Sequence, residues 1–145
     1  RQKIKSIVLL SPWIDVNPQS EFLVNRIDDD GVLSTETLLR CGKYYTDEEK
    51  LKTPLISPLY VESFNLKSFP PVYIQCGGDE IILDGVKAFK SKLEKNNIPC
   101  ILDIWPEMMF LFQMAHEHLP QAHLAIQRIG LYIQNLNKSL EQETE

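Results

Sequence analysis

Three short segments of the chain are rich in apolar and β-branched residues, and proline or glycine closes each of them. They are residues 4–10, 72–76 and Cys100–Trp105. Short apolar runs with such boundaries predict β-strands. The composition of residues 4–10 further predicts a strand that is buried on both faces and lies centrally in its sheet.

Segments with helical spacing of apolar residues lie between and after these strands. Residues 34–45 predict a helix with Ser34 or Thr35 as its N-cap. A second predicted helix has Asp84 as its N-cap and ends near residues 96–97. The order of elements is therefore strand, long insert, helix, strand, helix, strand, loop and helix.

The last helix is predicted to start near Leu119 and Pro120, since proline is favoured in a first helical turn. Its apolar residues form one stripe, which comprises Ala122, Ile126, Ile129, Ile133, Leu136 and Leu140.

Strands separated by helices pair in parallel through right-handed crossovers. We therefore predict a single α/β domain over residues 1–140, with three mainly parallel strands and helices on both faces. Residues 15–60 form an insert and residues 141–145 a polar tail.

Composition and charge exclude several classes of partner. Hydrophobic residues make up 43% of the chain and charged residues 24%, which is typical of a soluble globular domain. The net charge of −5 argues against a nucleic-acid partner, because phosphates require a basic face. The longest apolar run, residues 108–112, is far shorter than the roughly 20 residues of a membrane span. No signal-peptide pattern follows the basic start of the chain.

The cysteines and the acidic cluster do not predict a metal site. Cys41, Cys76 and Cys100 have neither metal-ligand nor redox spacing, and an odd number fits reduced thiols. Acidic residues 28–30 precede Gly31 without the continuation of a calcium-binding loop, so we expect a solvated turn there. We expect a cytoplasmic protein without cofactor or metal.

Four stretches resemble, in order and spacing, the hormone-sensitive-lipase branch of the α/β-hydrolase superfamily. They are residues 11–15 (SPWID), 56–59 (ISPL), 70–84 (PPVYIQCGGDEIILD) and 105–113 (WPEMMFLFQ). The resemblance covers the C-terminal half of that fold and implies a partial α/β-hydrolase fold. It also implies a carboxylic-ester hydrolase of Ser-His-acid type, an esterase or lipase.

The acid position of that family falls in the loop after the second strand. In the family it stands four residues before a second acidic residue, and counting back from Asp84 gives Glu80, with Asp79 as the alternative. The resemblance therefore implies that Glu80 or Asp79 faces the histidine loop. The other interpretation is an acidic turn that precedes a helix, where the helix dipole favours negative charge.

The histidine position of the family is occupied by a different residue. The family pattern W-P-x-M-x-H-x-F-Q aligns its histidine with Phe110, and Glu107 replaces the glycine before the first methionine, which can alter the loop backbone. Phenylalanine has no titratable nitrogen, so it cannot act as the general base. His116, His118 and His123 follow, and surface or helix-capping roles are favoured for them over a substitute base.

The nucleophile pattern of the family is absent from these 145 residues, which contain neither G-x-S-x-G nor an HGG run. We therefore predict a degenerate or partial hydrolase that is inactive as this chain. The alternative is a non-catalytic interaction module that self-associates through an exposed sheet edge. A third possibility is that the chain complements a separate N-terminal half that carries the serine. The expected partner is accordingly a second copy or such an N-terminal half.

Overall fold

The computed structural model describes most of the chain, namely residues 4–23, 30–66 and 68–142. Two compact units are present, residues 1–110 and residues 111–145, and each is described by itself. The prediction of a single domain over residues 1–140, with an insert and a polar tail, stays a prediction. Residues 28–29 of the predicted acidic turn and residues 143–145 of the predicted tail lie outside the described part.

The first unit contains a parallel sheet of three strands. They are β1 (Ile7–Leu10), β2 (Val72–Gly77) and β3 (Cys100–Trp105), in the spatial order β1-β2-β3. In the parallel register, Val72 of β2 lies opposite Ile7 of β1 and Cys100 of β3. The prediction of an α/β fold with three parallel strands is confirmed.

Strand β1 is shorter than predicted and lies at an edge of the described sheet. It starts at Ile7, and in the described sheet it pairs only with β2, so it is an edge strand. Leu10 is 37% exposed, whereas every residue of β2 is buried. Within the described residues, β2 is buried and has a paired strand on each side, whereas β1 is not buried on both faces. A central position of β1 in a longer sheet stays a prediction.

Two helices follow the predicted positions with one correction. Helix α1 spans Thr35–Tyr45, and the hydroxyl of its N-cap Ser34 accepts the N–H of Thr37 at 3.2 Å, as the sequence predicts. Helix α2 spans Leu83–Lys95, and its N-cap is Ile82. The prediction of Asp84 as N-cap is wrong, because the N-cap lies two residues earlier and Asp84 belongs to the first helical turn, where it is 3.0 Å from Lys87.

The core of the first unit lies between β2 and α2. Val72, Ile74 and Cys76 alternate along one face of β2, and they share a cluster with Val86, Phe89 and Leu93 of α2. Because β2 and α2 are both anchored in this core, the short turn that joins them is held at both ends.

The second unit contains a 3₁₀ turn at Phe112–Ala115 and helix α3 at Pro120–Gln142, which starts where the sequence predicts. Ala122 and Ala125 are buried, whereas Ile126 and Ile133 of the predicted stripe are 41% and 44% exposed in this chain. The side chain of Leu140 lies outside the described part. Within the described residues, no helix is long and apolar enough to cross a membrane.

Candidate active site

The turn between β2 and α2 carries a buried carboxyl group. Glu80 is 0% exposed, and its Oε1 accepts two hydrogen bonds. The hydroxyl of Ser11 donates to it at 2.6 Å, and the backbone N–H of Gly77 donates at 2.6 Å. Ser11 directly follows β1 and Gly77 ends β2, so the carboxyl group of Glu80 is tied to two adjacent strands at their carboxyl ends.

The surroundings of Glu80 shift its acidity. Burial raises the pKa of Glu80 to about 7, because it penalises the charged form, while the hydrogen bonds from Ser11 and Gly77 act in the lowering direction. The nearby carboxylate of Asp30 adds to the rise, and the Cys76 thiol opposes it. A carboxyl group with this pKa is present in both protonation states near neutral pH.

Asp79, the alternative acid position, has a different environment. It is exposed, and its backbone N–H donates to the carbonyl oxygen of Met108 at 3.2 Å. Of the two candidate carboxylates, Glu80 is therefore enclosed by the fold, whereas Asp79 lies at the surface. The role of either residue stays a prediction.

Two glycines allow the loop after β3 to pack directly on this turn. The N–H of Gly78 donates to the carbonyl oxygen of Trp105 at 2.7 Å. A Cβ atom placed on Gly77 would lie 2.0 Å from the carbonyl oxygen of Met108, which is closer than any real contact. The turn between β2 and α2, called the acid turn below because it carries Asp79 and Glu80, is thus in backbone contact with the loop that follows β3. This contact requires glycine at position 77.

The side chain of Phe110 packs beside the acid turn. Phe110 is half-buried against a cluster that contains Ile81 and Ile82, the two residues after Glu80. Phe110 therefore packs against an apolar cluster that includes the two residues directly after Glu80. Glu107 of the same loop has φ +59°, the left-handed conformation that glycine adopts most readily.

The remaining predicted polar candidates lie elsewhere. His116, His118 and His123 belong to the second unit and are exposed, and the Nε2 of His123 lies 3.0 Å from the Nε2 of Gln127. Among the described residues, no group of three or more His, Cys, Asp or Glu side chains could hold a metal ion. The three cysteines are unpaired, and burial raises the pKa of the Cys100 thiol to about 11.

Ser11 is a residue that the sequence did not single out for the site. In the sequence it precedes Pro12, which indicates only a turn, and no spacing rule connects it with a carboxylate 69 residues later. The structure brings the two together because β1 and β2 are adjacent and end at the same edge of the sheet.

A second polar group was also missed. The side chains of Tyr73, Gln75 and Trp105 all donate to Oδ2 of Asp103, at distances of 2.7, 3.0 and 3.0 Å. The alternation of β2 and β3 was a usable signal, since in the parallel register Gln75 lies opposite Asp103. This cluster supports the carboxyl end of β3, where the loop that packs on the acid turn begins.

Comparison with known proteins identifies the family. A model of the alpha/beta hydrolase fold matches residues 1–114. An esterase of Acinetobacter venetianus is 32% identical over 90% of this chain and 43% of its own length. An acetyl-hydrolase of Streptomyces hygroscopicus is 29% identical over 87% of this chain and 41% of its own length.

Solved structures agree with this assignment. The crystal structure of a hormone-sensitive lipase from a metagenome library has a TM-score of 0.83, with 27% identity over 93% of this chain and 45% of that one. An esterase of the bacterial hormone-sensitive lipase family has a TM-score of 0.78, with 27% identity over 90% and 43%. The chain spans less than half the length of these relatives. It belongs to the alpha/beta hydrolase fold family, and within that family it is hormone-sensitive-lipase-like.

Proposed function

We propose that this chain carries the acid part of a carboxylic-ester hydrolase site of Ser-His-acid type, with Glu80 at the acid position. We also propose that these 145 residues do not hydrolyse esters by themselves. The observation that supports the first proposal is the buried carboxyl group directly after β2, in a turn that contacts the loop after β3. Asp79 is exposed and therefore less suited to hold an imidazole in one orientation.

The proposed inactivity follows from the residues that the chemistry needs. In such a site, an imidazole takes the proton of the serine, and the carboxylate fixes and stabilises that imidazole. Phe110 stands at the family's histidine position and cannot transfer a proton. General-base catalysis, worth about 100- to 10,000-fold in rate, is then lost. The sequence also contains no G-x-S-x-G to supply the nucleophile.

An esterase assay tests the inactivity directly. We expect the purified chain to hydrolyse short p-nitrophenyl esters no faster than buffer. Activity that survives in Asp79→Asn but disappears in Glu80→Gln would contradict the proposed inactivity. A loss of such activity in His116→Ala, His118→Ala or His123→Ala would identify a substitute base.

The acid role is tested by returning an imidazole to the loop. In Phe110→His, we expect the carboxylate of Glu80 to raise the pKa of the new imidazole, as read by NMR titration of the ring protons. The rise should disappear in Phe110→His combined with Glu80→Gln. Met109→His is the matched control, because Met109 is the exposed neighbour in the same loop. An imidazole at position 110 that titrates identically with and without Glu80 would contradict the acid role.

The second candidate function is a non-catalytic interaction module. The observation that favours it is β1, whose only paired strand in the described sheet is β2 and whose Leu10 is partly exposed. A strand edge with unpaired backbone groups is a template for another chain. We propose a second copy as the partner, or an N-terminal half of an α/β-hydrolase.

Light scattering during size-exclusion chromatography distinguishes a monomer from a self-associated chain and from a complex with an N-terminal half. Self-association predicts a mass of at least two chains that falls on dilution. Leu10→Pro should lower this mass, because the N–H groups of Ile7 and Ser11 point toward β2 and that of Leu10 therefore faces the unpaired edge. A monomer at every concentration would refute self-association. A stable complex with the N-terminal half of a related esterase, without ester hydrolysis, would support complementation.

We also propose a cytoplasmic location, supported by the three unpaired cysteines. Cell fractionation, followed by thiol labelling of the unfolded chain, tests this proposal. Recovery in an oxidising compartment with blocked thiols would contradict it.

A further inference from the structure

Ser11 has an unusual backbone conformation for a residue that is not glycine. Its φ is +44°, in the left-handed region that side chains disfavour, and the residue is buried. The backbone N–H of Ser11 donates to the carbonyl oxygen of Gln75 at 2.9 Å, which continues the pairing of β1 with β2 by one residue. This hydrogen bond to β2 therefore helps to hold the backbone of Ser11 in its left-handed conformation.

The left-handed backbone brings the hydroxyl of Ser11 to the carboxyl group of Glu80. The Oγ–Oε1 distance is 2.6 Å, which is typical of a hydrogen bond to a charged or partly charged oxygen. The same Oε1 accepts the N–H of Gly77 at 2.6 Å. One carboxyl oxygen of Glu80 is thus held by a donor from each of two adjacent strands.

We propose that Ser11 is a positioning residue for Glu80, an inference that rests on the proposed acid role of Glu80. By holding Oε1, the hydroxyl fixes the rotation of the carboxyl group, and with it the orientation that an imidazole in the loop after β3 would meet. Terminal carboxyl torsions are otherwise broad, so without this donor the group could turn. In this proposal Ser11 acts through Glu80.

Other groups around Glu80 also affect its titration. The Cys76 thiol lies on β2, and the carboxylate of Asp30 acts from the segment before α1. Asp30 is itself held by the backbone, because its Oδ1 accepts the N–H groups of Val32 and Leu33. A change of the Ser11 side chain removes the hydroxyl donor to Glu80 and does not alter the chemistry of Cys76 or Asp30.

The first test is an NMR titration of the Glu80 carboxyl carbon in the full chain. Ser11→Gly removes the hydroxyl and keeps the left-handed backbone, which glycine adopts without strain. Because a hydrogen bond to the charged form favours that form, we expect the pKa of Glu80 to rise by about one unit or more in this variant. Ser11→Cys, with a weak S–H donor, should give a smaller rise and serves if the glycine variant does not fold.

Ser57→Gly is the matched control. Ser57 is also buried and also precedes proline, but its hydroxyl donates to the carbonyl oxygen of Leu51 at 2.6 Å. We expect this change to lower stability and to leave the pKa of Glu80 unchanged. An unchanged Glu80 titration in Ser11→Gly, or an equal change in Ser57→Gly, would overturn the inference.

The second test separates this inference from the proposed function. In Phe110→His, removal of the Ser11 hydroxyl should reduce the effect of Glu80 on the imidazole pKa. An effect of equal size with and without the hydroxyl would refute positioning and leave the acid role intact. No effect of Glu80 on the imidazole, together with a Ser11-dependent Glu80 titration, would refute both the acid role and positioning, because Ser11 would then only support a buried carboxyl group.

Discussion

Because Glu80 is buried, we expect the unfolding free energy of the chain to fall as the pH rises through the neutral range. In the folded chain its pKa is about 7, against 4.5 for the ordinary value expected in the unfolded chain. Between these values the folded state binds more protons, so its stability falls as the pH rises. The contribution of Glu80 is fully present below about pH 4.5 and is lost as the pH passes through about 7.

The size of this contribution follows from the two pKa values. A gap of about 2.5 pH units corresponds to about 3 kcal/mol of unfolding free energy. That is a large part of the roughly 5–15 kcal/mol that keeps a domain folded. Glu80→Gln should remove the dependence, because the amide resembles the protonated acid and its oxygen can still accept from Ser11 and Gly77.

Urea unfolding at several values between pH 4.5 and 8 measures the effect. Other groups titrate in this range, so the informative quantity is the difference in unfolding free energy between wild type and Glu80→Gln at each pH. We expect this difference to change by about 3 kcal/mol in favour of the variant as the pH rises. Asp79→Asn, at an exposed neighbouring carboxylate, should parallel the wild type. A difference between wild type and Glu80→Gln that is constant over the range would refute the reasoning.

Four further changes have clear expected outcomes in the same unfolding assay. Gly77→Ala should cost about 3 kcal/mol or more, because its Cβ would lie 2.0 Å from the backbone of Met108, and a tolerated alanine would contradict the packing of the two loops. Gly130→Ala is its control and should gain about 0.5–1 kcal/mol, since nothing lies within 4 Å of the added atom in helix α3. Glu107→Gly should gain up to about 1 kcal/mol by relieving a left-handed backbone, whereas a loss would show that the Glu107 side chain makes a stabilising contact. Ser34→Ala should cost about 1 kcal/mol through loss of the N-cap of α1, and an unchanged stability would show that the cap hydrogen bond adds nothing.

The loop after β3 contacts the turn between β2 and α2 with phenylalanine at position 110. Its backbone contacts with the acid turn involve Gly77 and Gly78 and do not depend on the side chain at position 110. Phe110 adds apolar packing against the cluster that contains Ile81 and Ile82. Backbone and apolar packing can thus hold the loop in place without an imidazole at position 110.

The family and the main elements could be predicted from the sequence, because both depend on local patterns. The residues of β3 and the start of α3 at Pro120 agree with the structure, since strand composition, helix spacing and first-turn proline are short-range signals. The assignment of Glu80 and Phe110 to the family's acid and histidine positions rests on motif spacing and stays a prediction. Local patterns failed at Asp84, because a helix start depends on where the preceding turn closes.

Only the tertiary structure decided what surrounds each of these residues. Glu80 and Asp79 are adjacent in sequence, yet one is buried between strand ends and the other is exposed. The contact of Ser11 with Glu80 depends on the pairing of β1 with β2, which connects segments far apart in the chain. Burial and long-range pairing set the acidity and orientation of a carboxyl group, and neither quantity is a property of a short stretch of sequence.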